Sequence, residues 1–183
     1  MEMHATPLGG VYQVMTTAHE DERGQFARWF CEQALADLLE GRRIVQINHS
    51  ATRTVGAIRG LHFQYPPHAE MKLIRCLRGR VWDVALDLRK GSPTFLHWHA
   101  GELTPENARM LVIPEGCAHG FQALEPQSEL LYLHTAFYQP TAEGGVRVDD
   151  PQLKIAWPLP ITDLSLRDQA LPWLSADFTG ITV

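Results

Sequence analysis

Trp82-Asp83-Val84-Ala85-Leu86-Asp87-Leu88-Arg89 alternates strictly, with Trp82, Val84, Leu86 and Leu88 on one side and Asp83, Ala85, Asp87 and Arg89 on the other. Successive side chains of an extended chain point to opposite faces, so this period of two predicts a β-strand. Turn signals recur on both sides of it, at Gly56, Gly60, Pro66-Pro67, Gly79, Gly91-Ser92-Pro93, Gly101, Pro105, Pro114 to Gly116 and Gly144-Gly145. Many short strands with such punctuation predict a mainly β sandwich, jelly roll or barrel. Residues 1–45 read as strands and a helix, 46–140 as the β core and 141–183 as an irregular, Pro-rich segment, with no linker or repeat dividing the chain. The helix is expected across roughly Cys31 to Glu40, where Leu35, Leu38 and Leu39 share a face and Gly41 supplies the stop. A second short helix can begin after Ser165.

Bulk properties narrow the function classes. A chain of 183 residues suffices for one domain with a real core. Its 45% hydrophobic and 20% charged content is that of a soluble globular protein. The net charge of -5 offers no basic face to nucleic acid, although local arginines could bind a small anion. Cys31, Cys76 and Cys117 are scattered, with no C-x-x-C, which suits reduced thiols in a cytoplasmic protein. The first twenty residues carry neither a basic stretch followed by an apolar run nor a spanning segment.

Chemistry concentrates in Arg59-Gly60-Leu61-His62-Phe63-Gln64, with Lys72 eight residues beyond Gln64. Histidine moves protons near neutral pH, and a lysine can stabilise charge developing on an oxygen. Proton abstraction beside a carbonyl needs that pair. Arg59 has the wrong parity to share a regular strand face with His62, so either Gly60 marks a bulge or Arg59 serves another part of the site. In Leu130 to Tyr138 one face carries Leu130, Tyr132, His134 and Tyr138 and is expected to line a cavity. The other carries Leu131, Leu133 and Phe137 and is expected to meet another sheet or another subunit. Gln46 and Asn48 also share a face. Each reading has a plainer competitor: His62 could be structural, Tyr132 could fill the interior, and Lys72 could be a strand lysine reaching for solvent. Ser165-Leu166-Arg167-Asp168 could simply be a helix capping box. The spacing His97-Trp98-His99, with His119 in Pro114-x-Gly116-x-x-His119, is the one pattern that raises metal. No suitably spaced glutamate follows it, and no metal is expected.

Taken together, Val45-Gln46-Ile47-Asn48-His49-Ser50, Ile58 to Gln64, Gly91-Ser92-Pro93-Thr94-Phe95, Ala118-His119-Gly120-Phe121, Asp149-Asp150-Pro151, Trp157-Pro158 and Leu164 to Asp168 resemble the dTDP-4-dehydrorhamnose 3,5-epimerase family. The resemblance keeps one order from about Asp21 to Leu174. It implies a cupin-type double-stranded β-helix, a homodimer, and an epimerase without metal or redox cofactor. The implied substrate is a nucleotide-linked 4-keto-6-deoxyhexose, inverted at C3, C5 or both. By the same resemblance His62 is the base, Asp168 its orienting carboxylate, Lys72 the enolate stabiliser and Tyr132 the proton donor. Arg23, Arg59, His119 and Arg167 fall to the diphosphate and its surroundings, and Gln46, Asn48 and Glu143 to the nucleotide or sugar. Tyr138 would stack on the base and Phe26 would help close the pocket. Departures from the family pattern are Arg28 for an acidic residue, Leu133 for Lys, Cys117 for Phe, Val148 for Trp and Leu96 for Gly. Alternatives on this scaffold are a 3-epimerase or 3,4-ketoisomerase on another nucleotide sugar, a metal-dependent cupin, or a non-catalytic sugar-nucleotide binder.

Overall fold

The computed structural model describes residues 1–183. In chain order the strands are β1 (Glu2–Ala5), β2 (Tyr12–Met15), β3 (Ala18–Asp21), β4 (Gly24–Ala27), β5 (Gln46–Thr52), β6 (Ala57–Gln64), β7 (Lys72–Arg78), β8 (Val81–Asp87), β9 (Trp98–Leu103), β10 (Arg109–Ile113), β11 (Cys117–Ala123), β12 (Ser128–His134), β13 (Glu143–Gly145) and β14 (Asp163–Leu164). Two short helices, α1 (Ala36–Leu39) and α2 (Leu166–Gln169), interrupt them. One sheet runs β1-β2-β10-β7-β12-β5 and the other β13-β6-β11-β8-β9, with β14 parallel to β6. β3 and β4 form a separate hairpin. From β5 to β13 successive strands alternate between the two sheets except at the β8–β9 hairpin, which stays in the second sheet; this is the cupin-type jelly roll.

Three apolar layers hold this together. Between the sheets lie Ile74, Cys76, Val81, Ala85, Leu111, Cys117, Phe121 and Leu130. Outside the second sheet, Val84, Leu86 and Leu88 pack with Ile58, Phe63, Val146, Leu153 and Ile181, and Trp82, Trp98 and Trp157 lean on the same cluster. The Trp82-to-Leu88 face of β8 is therefore covered by the C-terminal segment. Its polar face is the one turned inward, with Asp83 and Asp87 both fully buried. Buried charges survive when paired. Asp87 accepts from Arg89, Ser92 and Thr94 at 2.5–2.9 Å. Burial pushes its carboxyl up, but those partners outweigh burial and hold it down at about 2.

The third layer corrects an expectation. Leu73, Leu133, Met110 and Val112 on the outer side of the first sheet pack against Leu35, Leu38 and Leu39 of the chain's own 30–44 segment, with Leu131 beside them. The leucine face of β12 thus meets the chain's own 30–44 segment rather than the other sheet. The helix expected across Cys31 to Glu40 shrinks to Ala36–Leu39, with no side-chain cap at Leu35 and a left-handed Glu40 closing it. An isolated helix this short is marginal. Docking of its leucines, rather than propensity, sets its length.

Candidate active site

Two histidines stand side by side on one wall. His62 of β6 is the cross-strand partner of His119 on β11, and the next paired position joins Arg59 to Phe121. β6 therefore advances three residues while β11 advances two, which is the bulge anticipated at Gly60. Gly60 has φ +134°, and a Cβ there would lie 2.5 Å from the Gly120 Cα. The bulge brings Arg59 to the same cavity as His62. Arg59 Nε donates to Thr52 Oγ1 at 3.0 Å and its terminal nitrogen donates to the Ala51 carbonyl at 3.2 Å.

Behind His62 lies Asp168, with Nε2 to Oδ1 at 2.8 Å. A carboxylate only accepts, so Nε2 carries the proton and Nδ1 is left as the proton-accepting nitrogen. Pairing of β14 with β6 carries α2 to this point. The Ser165 hydroxyl accepts the Asp168 backbone N–H at 3.0 Å, so Asp168 closes a helix cap through its backbone while its carboxylate meets His62. Burial alone would raise the Asp168 carboxyl. Its hydrogen bonds from His62 and the Gly60 N–H keep it below the ordinary carboxylate range.

Tyr132 comes from the opposite sheet, on β12, where it pairs with Asn48 of β5 and Ile74 of β7. Its hydroxyl meets Ser50 Oγ at 3.2 Å. Burial raises its pKa well above that of a free tyrosine, which keeps the phenol protonated. Its ring meets His119 edge-on, centroids 5.9 Å apart. His119 Nε2 in turn donates to buried Asp83 Oδ1 at 2.7 Å, a second His–Asp pair on the His62 wall.

Lys72 completes the set and does not reach for solvent. Its side chain is 9% exposed, its amine donating to the His62 carbonyl at 3.1 Å and pairing with Glu70 at 3.2 Å. His62, Asp168, Tyr132, Lys72, Arg59 and His119 all line one cavity of about 850 Å³. Such a set suits abstraction of a proton next to a carbonyl: a base, a cation for the developing oxyanion, and a second proton donor on the facing wall.

A family model described as dTDP-4-dehydrorhamnose 3,5-epimerase matches residues 5–176. The chain belongs to that family. It is 45% identical over 157 residues to the dTDP-4-dehydrorhamnose 3,5-epimerase of Salmonella typhimurium, covering 84% of this chain and 85% of the relative. It is 39% identical over 171 residues to the dTDP-4-dehydrorhamnose 3-epimerase of Streptomyces niveus, covering 91% of this chain and 82% of the relative. The crystal structure of the 3,5-epimerase from Elizabethkingia anophelis superposes with a TM-score of 0.91 at 39% identity, covering 97% of this chain and 98% of that one.

In this member of the 3,5-epimerase family the remaining expected residues fall into two groups. Asn48, Tyr138, Glu143 and Arg167 line the cavity mouth, where Arg167 pairs with Glu143 and the Tyr138 hydroxyl donates to Glu143 Oε2 at 2.8 Å. Gln46 stands just behind them, bonded to Asn48 and to the Tyr138 backbone. Arg23 and Phe26 lie elsewhere, on the β3–β4 hairpin. Arg23 pairs with Asp21 in solvent, Phe26 is 72% exposed, and neither lines this chain's own cavity. Of the family departures, Leu133, Cys117 and Val148 are all buried in the apolar layers. Leu96 adopts φ +61°, the left-handed region that explains the glycine common there. Arg28 is exposed beside the hairpin.

Sequence reasoning missed Glu70, Ser50 and Asp83, and left His134 without a role. The alternation of β8 put Asp83 on the side opposite Trp82, Val84 and Leu86 but did not say that this side turns inward. Glu70 precedes Lys72 by two residues, the spacing that places both on one side of an extended chain. His97 is exposed, and half-buried His99 sits 3.3 Å from Gln13. No group of three or more His, Cys, Asp or Glu side chains is arranged to hold a metal ion.

Proposed function

We propose that this chain inverts C3, and C5 where the substrate presents it, of a nucleotide-linked 4-keto-6-deoxyhexose. The observation that carries this reading is that a carboxylate-backed imidazole and a protonated phenol enter one cavity from two facing sheets. The 4-keto group acidifies the neighbouring C–H bonds. His62 Nδ1 takes the proton, the C–H electron pair passes into the enolate, and the Lys72 ammonium faces the resulting oxyanion. Tyr132 then delivers its O–H proton to the opposite face of the same carbon, and configuration inverts. Imidazolium and phenolate return to their starting states by proton exchange with solvent. Each positioned acid or base is worth about 10²–10⁴-fold.

Arg59 and Arg167 supply cationic donors for the diphosphate, and Tyr138 offers a half-exposed ring for the base. Relatives acting as 3,5-epimerases and as a 3-epimerase both lie at about the same similarity, so the number of carbons inverted is what product analysis must decide. The test is incubation in D₂O with dTDP- and CDP-linked 4-keto-6-deoxyglucose, followed by NMR. Deuterium at C3 is expected with the dTDP sugar; no wash-in with either sugar would end the proposal. Arg28, a cation where the family carries an acid, is the reason for including CDP.

The active form is a homodimer in this reading. The β3–β4 hairpin carries Arg23 and exposed Phe26 away from the cavity, Trp29 is 46% exposed beyond it, and edge strand β5 leaves Ile47 61% exposed. A second copy would bury these and bring Arg23 and Phe26 to its partner's cavity. Light scattering is expected to give twice the 20.6 kDa chain mass, and a monomer would refute it. The free state of Cys31, Cys76 and Cys117 supports a reducing, cytoplasmic location. No helix is long and apolar enough to cross a membrane.

A further inference from the structure

The hydrogen bonds leading away from Lys72 run in a single direction. Lys72 Nζ donates to Glu70 Oε1, and Glu70 Oε2 lies 2.8 Å from His134 Nδ1. Because the carboxylate only accepts, His134 carries its proton on Nδ1. His134 Nε2 lies 3.3 Å from Asn48 Nδ2, an amide nitrogen that only donates, so Nε2 is the bare nitrogen. Asn48 Oδ1 accepts from Gln46 Nε2 at 3.2 Å, and Gln46 Oε1 accepts the Tyr138 backbone N–H at 3.0 Å. Each link has one donor and one acceptor. Together they hold His134 as the neutral Nδ1–H tautomer and orient both amides.

Strand register explains why the chain closes. His134 pairs with Lys72 on one side and with Gln46 on the other, and Tyr132 pairs with Asn48 one pleat away. The side chains of Glu70, Lys72 and His134 are all under 10% exposed. Only Glu70 and the His62 carbonyl bond the Lys72 amine. A buried ammonium without a counter-charge sheds its proton, and a neutral amine is a poor partner for an oxyanion.

We infer that Glu70 and His134 are positioning residues for the epimerisation. Glu70 keeps Lys72 charged and aimed into the cavity. His134 braces that carboxylate and ties it to the Asn48–Gln46–Tyr138 edge, where the nucleotide end of the substrate is held. The inference rests on the reading of Lys72 as the counter-charge to the enolate. It also separates two kinetic effects. Disturbing Glu70 changes the charge facing the transition state and therefore kcat, whereas disturbing His134 frees Asn48 and therefore changes KM.

The experiment uses the full chain labelled with ε-¹³C lysine, the Lys72 resonance being assigned by its loss in Lys72→Met. Glu70→Gln is expected to move the Lys72 titration down by about one pH unit or more and to lower kcat about 10–100-fold with KM nearly unchanged. Glu70→Asp, which keeps the charge, should restore the titration and part of the rate. His134→Ala should raise KM about tenfold with little change in kcat. Glu70→Gln in a Lys72→Met background should cost nothing further, because its effect passes through the missing amine. A Lys72 titration unmoved by Glu70→Gln would overturn the inference, as would a full additional loss in the double variant. The NMR titration does not depend on turnover. It therefore judges the Glu70–Lys72 coupling even in a protein that shows no wash-in, a result that would instead remove the epimerase reading.

Discussion

Replacing His62 by alanine is expected to abolish deuterium wash-in at C3, a loss of about 10³-fold or more. Nδ1 of His62, a residue lining the cavity, is the imidazole nitrogen left free, since Nε2 is committed to Asp168 at 2.8 Å. The other histidine on that wall, His119, is 5% exposed and already tied to Asp83. Removing the imidazole removes the step that begins both exchange and inversion, so the two should fall together. Asp168→Asn gives the same argument an independent check. An amide can turn its NH₂ toward Nε2, which shifts the imidazole proton onto Nδ1 and occupies the very nitrogen that must accept. That variant should fold, because the Ser165 cap uses the backbone of Asp168 rather than its carboxylate, and should still lose about 10²-fold or more. Wash-in within tenfold of wild type in His62→Ala would show that another group is the base.

Tyr132→Phe should behave differently. The substitution deletes one hydroxyl and its 3.2 Å contact with Ser50 while leaving the ring against His119. Burial holds this phenol well above the ordinary tyrosine value, so the group lost is a proton donor across the neutral range and not a phenolate. His62 can still remove the proton and return a solvent deuteron to the same face. Exchange with retention should therefore survive at more than about a tenth of the wild-type rate, while the epimerised product falls about 10²–10⁴-fold. Measuring deuterium and product configuration in the same NMR sample separates the two. Epimer appearing at the wild-type rate would mean that the second proton comes from somewhere other than β12.

Much of the β architecture was legible because its signals are local. The alternation from Trp82 to Arg89, the Gly and Pro punctuation, and the Gly60 parity break each depend on a few neighbouring residues, and each corresponds to a strand, a turn or a bulge in the structure. The catalytic candidates were legible for another reason: His62 and Asp168 stand in recognisable runs, and the family resemblance those runs carry extends to Lys72 and Tyr132. What failed to show depended on residues far apart in the chain. The helix between Cys31 and Glu40 was over-extended because periodicity reports which leucines share a face, while docking on β7, β10 and β12 decides how many turns form. Which face of β8 turns inward does not follow from its alternation, because the C-terminal segment that covers the apolar face lies far along the chain.

Fold class, the order of the strands and the chemical types available for catalysis can be read from the linear chain, because side-chain alternation and turn chemistry act over a handful of bonds. Two matters belong to the folded molecule alone: that Asp83 points inward to His119, and that Glu70 joins Lys72 to His134. Hydrogen bonds across sheets depend on register and on which layer covers which face. Those are set by the burial of the whole apolar surface at once, and no local stretch of residues contains that information.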